Sequence, residues 1–332
     1  MRKLFPAFFA LLLALPCAGQ EAVPRDTSFT LHSAYKKIER KYPYARPVSQ
    51  SIPEGVTKIA DVVYRHFDST QFGPRDLHFD IFRADTVEGL RPAVLMIHGG
   101  GWNSGDRSLQ YPLAAALAKR GYVAVPVEYR LTPESRYPAG LHDIKAAVRW
   151  VHENGTAYGI DTTRIALSGC SAGGQLAALA GITNGSMRHE GPLDSDETPS
   201  HVSAVVCIDG ITTFVSDYNI SDVYERREKH NGQLPVNALW LGGMPDEADE
   251  NWQEASAINW VTPASAPVCF INSDLPRYRD GRDEIRPLLD QAGVHTEIHS
   301  VNSPIHPFWL FYPWYSSTVT HAADFLDRVL KK

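Results

Sequence analysis

Gly169-Cys170-Ser171-Ala172-Gly173 places glycines two residues to either side of a serine. The pentapeptide directly follows the apolar run Ile165-Ala166-Leu167 and directly precedes Leu176 and Leu179, which recur at helical spacing. A strand turning sharply into a helix here forces its central residue into a strained backbone. That strain lifts the serine hydroxyl clear of the sheet, beside the helix N-terminus. Small flanking residues, Gly174 included, are then a steric requirement. About 70 residues earlier, His98-Gly99-Gly100-Gly101-Trp102 follows the apolar run 93–97. Acyl transfer builds negative charge on a carbonyl oxygen, and glycines leave the backbone free to aim its amides at that charge. Gly100 and Gly101 would act with the N–H of Ala172, each such donor contributing about 3–4 kcal/mol to the transition state.

These motifs need a scaffold, and the patterning supplies one. Residues 62–67 and 77–82 alternate with period two, as edge strands of a half-exposed sheet do. Residues 93–97 are continuously apolar, the pattern of a strand covered on both faces. Further strands are predicted at 122–127, 164–167, 202–208, 268–271 and 295–301. Between them lie helical patterns on Leu109, Leu113 and Leu117; Leu141, Ile144, Val148 and Val151; Leu176 and Leu179; Ile285, Leu288 and Leu289; and residues 319–330. Strands alternating with helices imply an α/β fold with a mostly parallel central sheet and helices on both faces. The alternation breaks at about 215–263, where Trp240, Trp252 and Trp260 sit among charged and turn-forming residues. That stretch reads as a short lid insertion within one domain, 60–332.

With the elbow and the glycine loop in place, residues 62–330 resemble an α/β-hydrolase of the hormone-sensitive-lipase-like and bacterial carbohydrate-esterase type. The resemblance implies hydrolysis of acetyl, feruloyl or similar esters on plant polysaccharides, no cofactor, and a triad running serine, acid, histidine. Of the later histidines, His230 lies in the lid, His295 and His299 belong to the last strand, and His321 to the last helix. His306 stands in a loop beyond the last strand, where this fold presents its general base. The acid is expected after the strand 268–271. Asp274 matches the usual spacing. Asp283 matches a branch of exported esterases with an Ala-Gly-Arg-acid-acid turn, although a carboxylate in a helix's first turn also serves the helix dipole. The two stand level, with Asp280 behind. Trp102 is assigned a substrate contact, because the adjoining glycines face the site. Glu128-Tyr129-Arg130 and Asp143 read as structural pairs supporting the loops.

Composition narrows the rest. The chain has 332 residues, 43% apolar and 21% charged, with 32 Lys+Arg against 38 Asp+Glu. A net charge of −6 offers no basic surface for nucleic acid. Arg2 and Lys3, a short apolar stretch to Leu15 and small residues to Gly19 read as a signal peptide, 1–19, implying a secreted or periplasmic protein. That stretch is too short to span a bilayer, so no stable membrane insertion is expected. Pro16 before Cys17 argues against a lipoprotein. Residues 20–59 read as a polar N-terminal leader. Cys170, Cys207 and Cys269, each in an apolar run, read as buried free thiols. No third ligand joins His78 and Asp80 in a metal site, and the glycine loop lacks the residues of a nucleotide fold. The resemblance, taken with the expected export, implies an esterified polysaccharide or oligosaccharide as the partner. The alternatives are a general small-ester carboxylesterase or lipase-like enzyme, and a non-catalytic ligand-binding protein on a hydrolase fold.

Overall fold

The run 93–97 forms the middle of a sheet because every one of its side chains finds an apolar layer. In the computed structural model, which describes residues 23–86, 88–192 and 198–331, Ala93, Leu95 and Ile97 face one hydrophobic cluster. Val94 and Met96 face another on the opposite side. The same division holds for Val205 and Cys207 against Ala204, Val206 and Ile208. The expected signal peptide lies outside the described residues.

Eight strands make the main sheet: β1 (Val56–Thr70), β2 (Gly73–Ala84), β3 (Arg91–Ile97), β4 (Val123–Val127), β5 (Ile160–Cys170), β6 (Ala204–Ile208), β7 (Val268–Asn272) and β8 (Thr296–Ser300). Their spatial order is β1-β2-β4-β3-β5-β6-β7-β8. β2 pairs antiparallel with β1 and with β4, and all other pairings are parallel. The helices Ala139–Asn154 and Ala172–Ile182 contribute buried residues to the first cluster, and Tyr111–Lys119 and Trp314–Leu330 to the second. All residues of Ala172–Ile182 are buried. Such close packing requires glycine at 181, where a Cβ would come 2.2 Å from Val205 Cγ2.

Two expectations are revised. Residues 77–82 are not at an edge: β2 lies second in the sheet, and its alternation gives way to a continuously buried stretch, Phe79 to Phe82. Asp80 is tolerated there because Tyr111 and Arg107 engage its carboxylate and the Asp61 N–H donates to it at 2.8 Å. The leader is also more than a polar lead-in. Its helix Leu31–Ile38 opens on a capping box between Thr30 and Ser33 and buries Ala34 and Ile38. Arg46–Pro47 then pairs antiparallel with Phe311–Tyr312, fastening the leader to the C-terminal region. No helix among the described residues is long and apolar enough to cross a membrane.

Candidate active site

Three parallel strands end side by side at the site. Ile97 of β3 is in register with Gly169 of β5, and Cys170 of β5 with Ile208 of β6. The loops that follow these strands therefore start from one edge. Ser171 sits at φ 56°, ψ −121°, the strained elbow conformation expected of it. Its N–H donates to Ile208 O at 2.8 Å, tying the elbow to the neighbouring strand. The flanking glycines are obligatory: a Cβ on Gly169 would lie 2.0 Å from Gly173 O, and one on Gly173 2.2 Å from Ile97 O.

Ser171 Oγ lies 2.7 Å from His306 Nε2. His306 Nδ1 lies 3.0 Å from Oδ2 of Asp209, a fully buried carboxylate immediately after β6. A carboxylate can only accept, so Nδ1 carries the proton and Nε2 presents a lone pair to the serine hydroxyl. Asp209 is itself fixed: Ser273 N–H donates to Oδ1 at 2.8 Å and Ser273 Oγ–H to Oδ2 at 2.7 Å. The imidazole is clamped between Tyr278, stacked with ring centroids 3.4 Å apart, and the edge-on ring of Trp309 at 5.1 Å.

The structure brings neither expected acid to the histidine. Asp274 is exposed, and its contact with the histidine loop is its backbone N–H, which donates to Ser303 O at 2.9 Å. Asp283 is exposed in the first turn of Arg282–Gln291 and pairs with Arg282 at 2.8 Å, the dipole position that needs no other role. Asp280 instead accepts from Ser216 Oγ at 2.5 Å and from Asn219, anchoring the start of the helix Asp217–Lys229. Asp209 was legible only as a lone carboxylate ending a wholly apolar strand. The strand adjacency that makes it significant is not a property of the sequence.

Gly100 has φ 134°, and a Cβ there would fall 1.9 Å from Ser104 O. The Gly100 carbonyl accepts from Asn103 N, Ser104 N and Ser104 Oγ. Because a trans peptide points its C=O and N–H oppositely, that turns the Gly101 N–H away from those donors. The Ser171 carbonyl likewise accepts from Gln175 N, so the Ala172 N–H points out of the helix N-terminus. Gly100, Gly101 and Ala172 line one cavity of about 480 Å³ together with Ser171 and His306. Tyr129 steadies the loop, donating from its OH to His98 O at 2.9 Å, and the Arg130 guanidinium grips Asp143 in two hydrogen bonds of 2.7 and 2.8 Å.

Trp102 lines the cavity too, but its indole is committed elsewhere. It stacks on Trp240 of the 215–263 insertion at 4.7 Å and donates from Nε1 to Gln175 Oε1 at 3.0 Å. Its main physical effect is to join the glycine loop to the insertion. That insertion carries the α-helices Asp217–Lys229, Val236–Leu241 and Asp249–Glu254 and a 3-10 helix, Ala257–Trp260, and places Asn219, Arg226, Val236 and Asn237 on the cavity wall. Phe29 and Lys37 of the leader complete it, a contribution that nothing in their local sequence announced.

Burial pushes the His306 imidazole below its ordinary 6.5, against an opposing pull from the Asp209 hydrogen bond. The neutral imidazole is the form that can accept the serine proton, so a lowered pKa keeps it competent into mildly acidic solution. The acid limb of kcat/KM for a simple ester should accordingly fall below pH 6.5. A pH–rate profile whose limb lies above that value contradicts the buried environment.

Cys170, Cys207 and Cys269 are free and buried, and burial pushes the Cys207 thiol up to about 12, leaving it unreactive. Among the described residues Cys269, Glu297 and His299 offer potential metal-ligand atoms within 4.8 Å of one another. Glu297 is already occupied, accepting from Arg328 Nε at 2.9 Å and interacting with His295 and His299.

Residues 79–276 match the family model BD-FAE, more than half of the chain. The chain belongs to the BD-FAE family. The match includes the glycine loop, Ser171 and Asp209, and stops before His306. Among related sequences, the versiconal hemiacetal acetate esterase of Dothistroma septosporum is 30% identical over 314 residues, spanning 91% of this chain and 88% of that protein. Esterase LipC of Mycobacterium tuberculosis is 38% identical over 199 residues, 57% of this chain. The chain spans about half the length of the first curated relatives it matches, 55% of LipM and 45% of LipC. Among solved structures, a truncated carbohydrate esterase from gut microbiota superposes with a TM-score of 0.67 at 24% identity, covering 86% of this chain and 99% of that one. The Est2 esterase of Thermogutta terrifontis with propionate bound gives 0.64 at 23% identity, covering 83% and 96%. The BD-FAE chain thus has the α/β-hydrolase fold that its elbow and glycine loop implied.

Proposed function

We propose that the chain is an exported serine ester hydrolase that removes acetyl or other acyl groups from plant polysaccharides through an acyl-enzyme. The observation that carries the reading is the continuous relay from Ser171 Oγ through His306 to buried Asp209. Ser171 Oγ attacks the ester carbonyl while its proton passes to His306 Nε2, and Asp209 stabilises the imidazolium formed. The carbonyl oxygen becomes an oxyanion facing the Gly100, Gly101 and Ala172 amides. Collapse breaks the bond to the alcohol, which departs with the proton from His306. Water then gives its proton to His306, attacks the acyl-serine and releases the acid, and Ser171 recovers its proton.

Export rests on the N-terminal charge and apolar pattern of residues 1–19. The carbohydrate substrate is supported by fold relatives described as a carbohydrate esterase from gut microbiota and a bifunctional GH43-CE of Bacteroides eggerthii. The test is to incubate the protein with acetylated and feruloylated xylan and quantify the free acids. Release of acetate or ferulate at rates comparable to hydrolysis of para-nitrophenyl acetate is the expected result. Hydrolysis of the aryl ester with no acid released from the polymers would overturn the polysaccharide assignment.

A further inference from the structure

In a chain of net charge −6, the cavity beside Ser171 is walled by three cations. They come from separate elements: Lys37 from the leader helix Leu31–Ile38, Arg226 from Asp217–Lys229, and Arg277 from the turn Pro276–Arg279. Ion pairing does not balance them. Among the described residues, the two arginines share one carboxylate, Asp222, at 2.9 Å from Arg226 and 3.6 Å from Arg277. Lys37 has no carboxylate partner there, whereas its neighbour Lys36 pairs with Glu39 at 3.0 Å. Among the described residues Asp209 is the one acidic residue on the cavity wall, and His306 and Ser273 already engage it.

Two further features point the same way. Arg226 Nε is buried with no hydrogen-bond partner among the described residues. Burial and the nearby Arg277 charge both lower the Arg226 pKa, a destabilisation that a bound anion would relieve. A helix C-terminus favours a lysine in its last turn, which accounts for a cation on Leu31–Ile38 but not for its place in this cavity.

We propose that the site takes esters bearing a carboxylate near the scissile bond, held by Lys37, Arg226 and Arg277. The inference rests on the esterase reading and specifies its substrate class. The carboxylate could belong to the acyl part, as in a dicarboxylic hemiester, or to the alcohol part, as in an acylated oligosaccharide containing uronate. Both present the same anion to the same cations.

The test compares matched substrates in two arms. On the acyl side, para-nitrophenyl hemiglutarate is set against para-nitrophenyl valerate. On the alcohol side, an acetylated uronate-bearing xylo-oligosaccharide is set against its acetylated neutral counterpart. In at least one arm the anionic substrate should show a kcat/KM advantage of about tenfold at low salt, the scale of one charge-assisted hydrogen bond. The arm that shows it identifies the side carrying the charge. High ionic strength should shrink the ratio. So should Lys37→Gln and Arg277→Gln, while Lys37→Arg should preserve it. Parity in both arms, or an advantage that survives both glutamine substitutions, overturns the inference while leaving the esterase reading intact. Failure to hydrolyse even the neutral esters overturns both.

Discussion

Ser171→Ala should abolish labelling by a fluorophosphonate probe and reduce kcat on para-nitrophenyl acetate by roughly 10⁵-fold or more, as loss of a triad nucleophile does in unrelated serine hydrolases. Only the serine oxygen would become bonded to the acyl carbon, and among the described residues no other hydroxyl is placed 2.7 Å from the His306 imidazole. The substitution should leave the fold intact. Alanine presents the same Cβ to the strained elbow, and the turn is held by the Ser171 N–H to Ile208 O bond and by the flanking glycines, none of which uses Oγ. A variant with unchanged thermal unfolding and no labelling supports the nucleophile assignment. A wild-type chain that the probe fails to label would instead favour a ligand-binding protein on this fold.

Asp209→Asn should reduce kcat/KM by about 10⁴-fold, the scale observed when a triad aspartate becomes an amide elsewhere. Asparagine can offer its NH₂ to His306 Nδ1, which leaves the proton on Nε2 and removes the lone pair that should receive the serine proton. Asp274→Asn and Asp283→Asn should stay within a few-fold of wild type, because both side chains are solvent-exposed and neither meets the imidazole. Asp209 also accepts two hydrogen bonds from Ser273, so its replacement should lower stability as well. Reading kcat/KM on protein shown to be folded by thermal unfolding separates the two effects. If Asp274→Asn or Asp283→Asn were the damaging change and Asp209→Asn were mild, the relay described above would be wrong.

The contrast between serine and acid shows how far local sequence reaches. The serine announces itself because its conformation is a local demand: a strand, a turn and a helix within a dozen residues, with glycine required wherever a Cβ would strike the neighbouring backbone. The glycine loop is local in the same way, since Gly100 and Gly101 both adopt positive φ. His306 could be found from chain order alone, as the histidine in the loop after the last strand. The acid has no such local requirement. A carboxylate can reach the imidazole from the end of β6 or from the end of β7, because both strands finish beside the loop carrying His306. The chain contains acidic residues after each. Spacing favours Asp274 and the resemblance to an acid-acid turn favours Asp283, while the register of β6 against β5 places Asp209 beside the elbow.

Patterning alone therefore determined the layered α/β architecture, most of its strands and helices, and the serine elbow, since periodicity and steric need are written residue by residue. Tertiary structure decided the acid partner, the use of the Trp102 indole as a strut to Trp240, and the entry of leader residues Phe29 and Lys37 into the cavity wall. Those outcomes depend on distances between segments tens to hundreds of residues apart. Only the packed sheet, with its strand order and register, sets them.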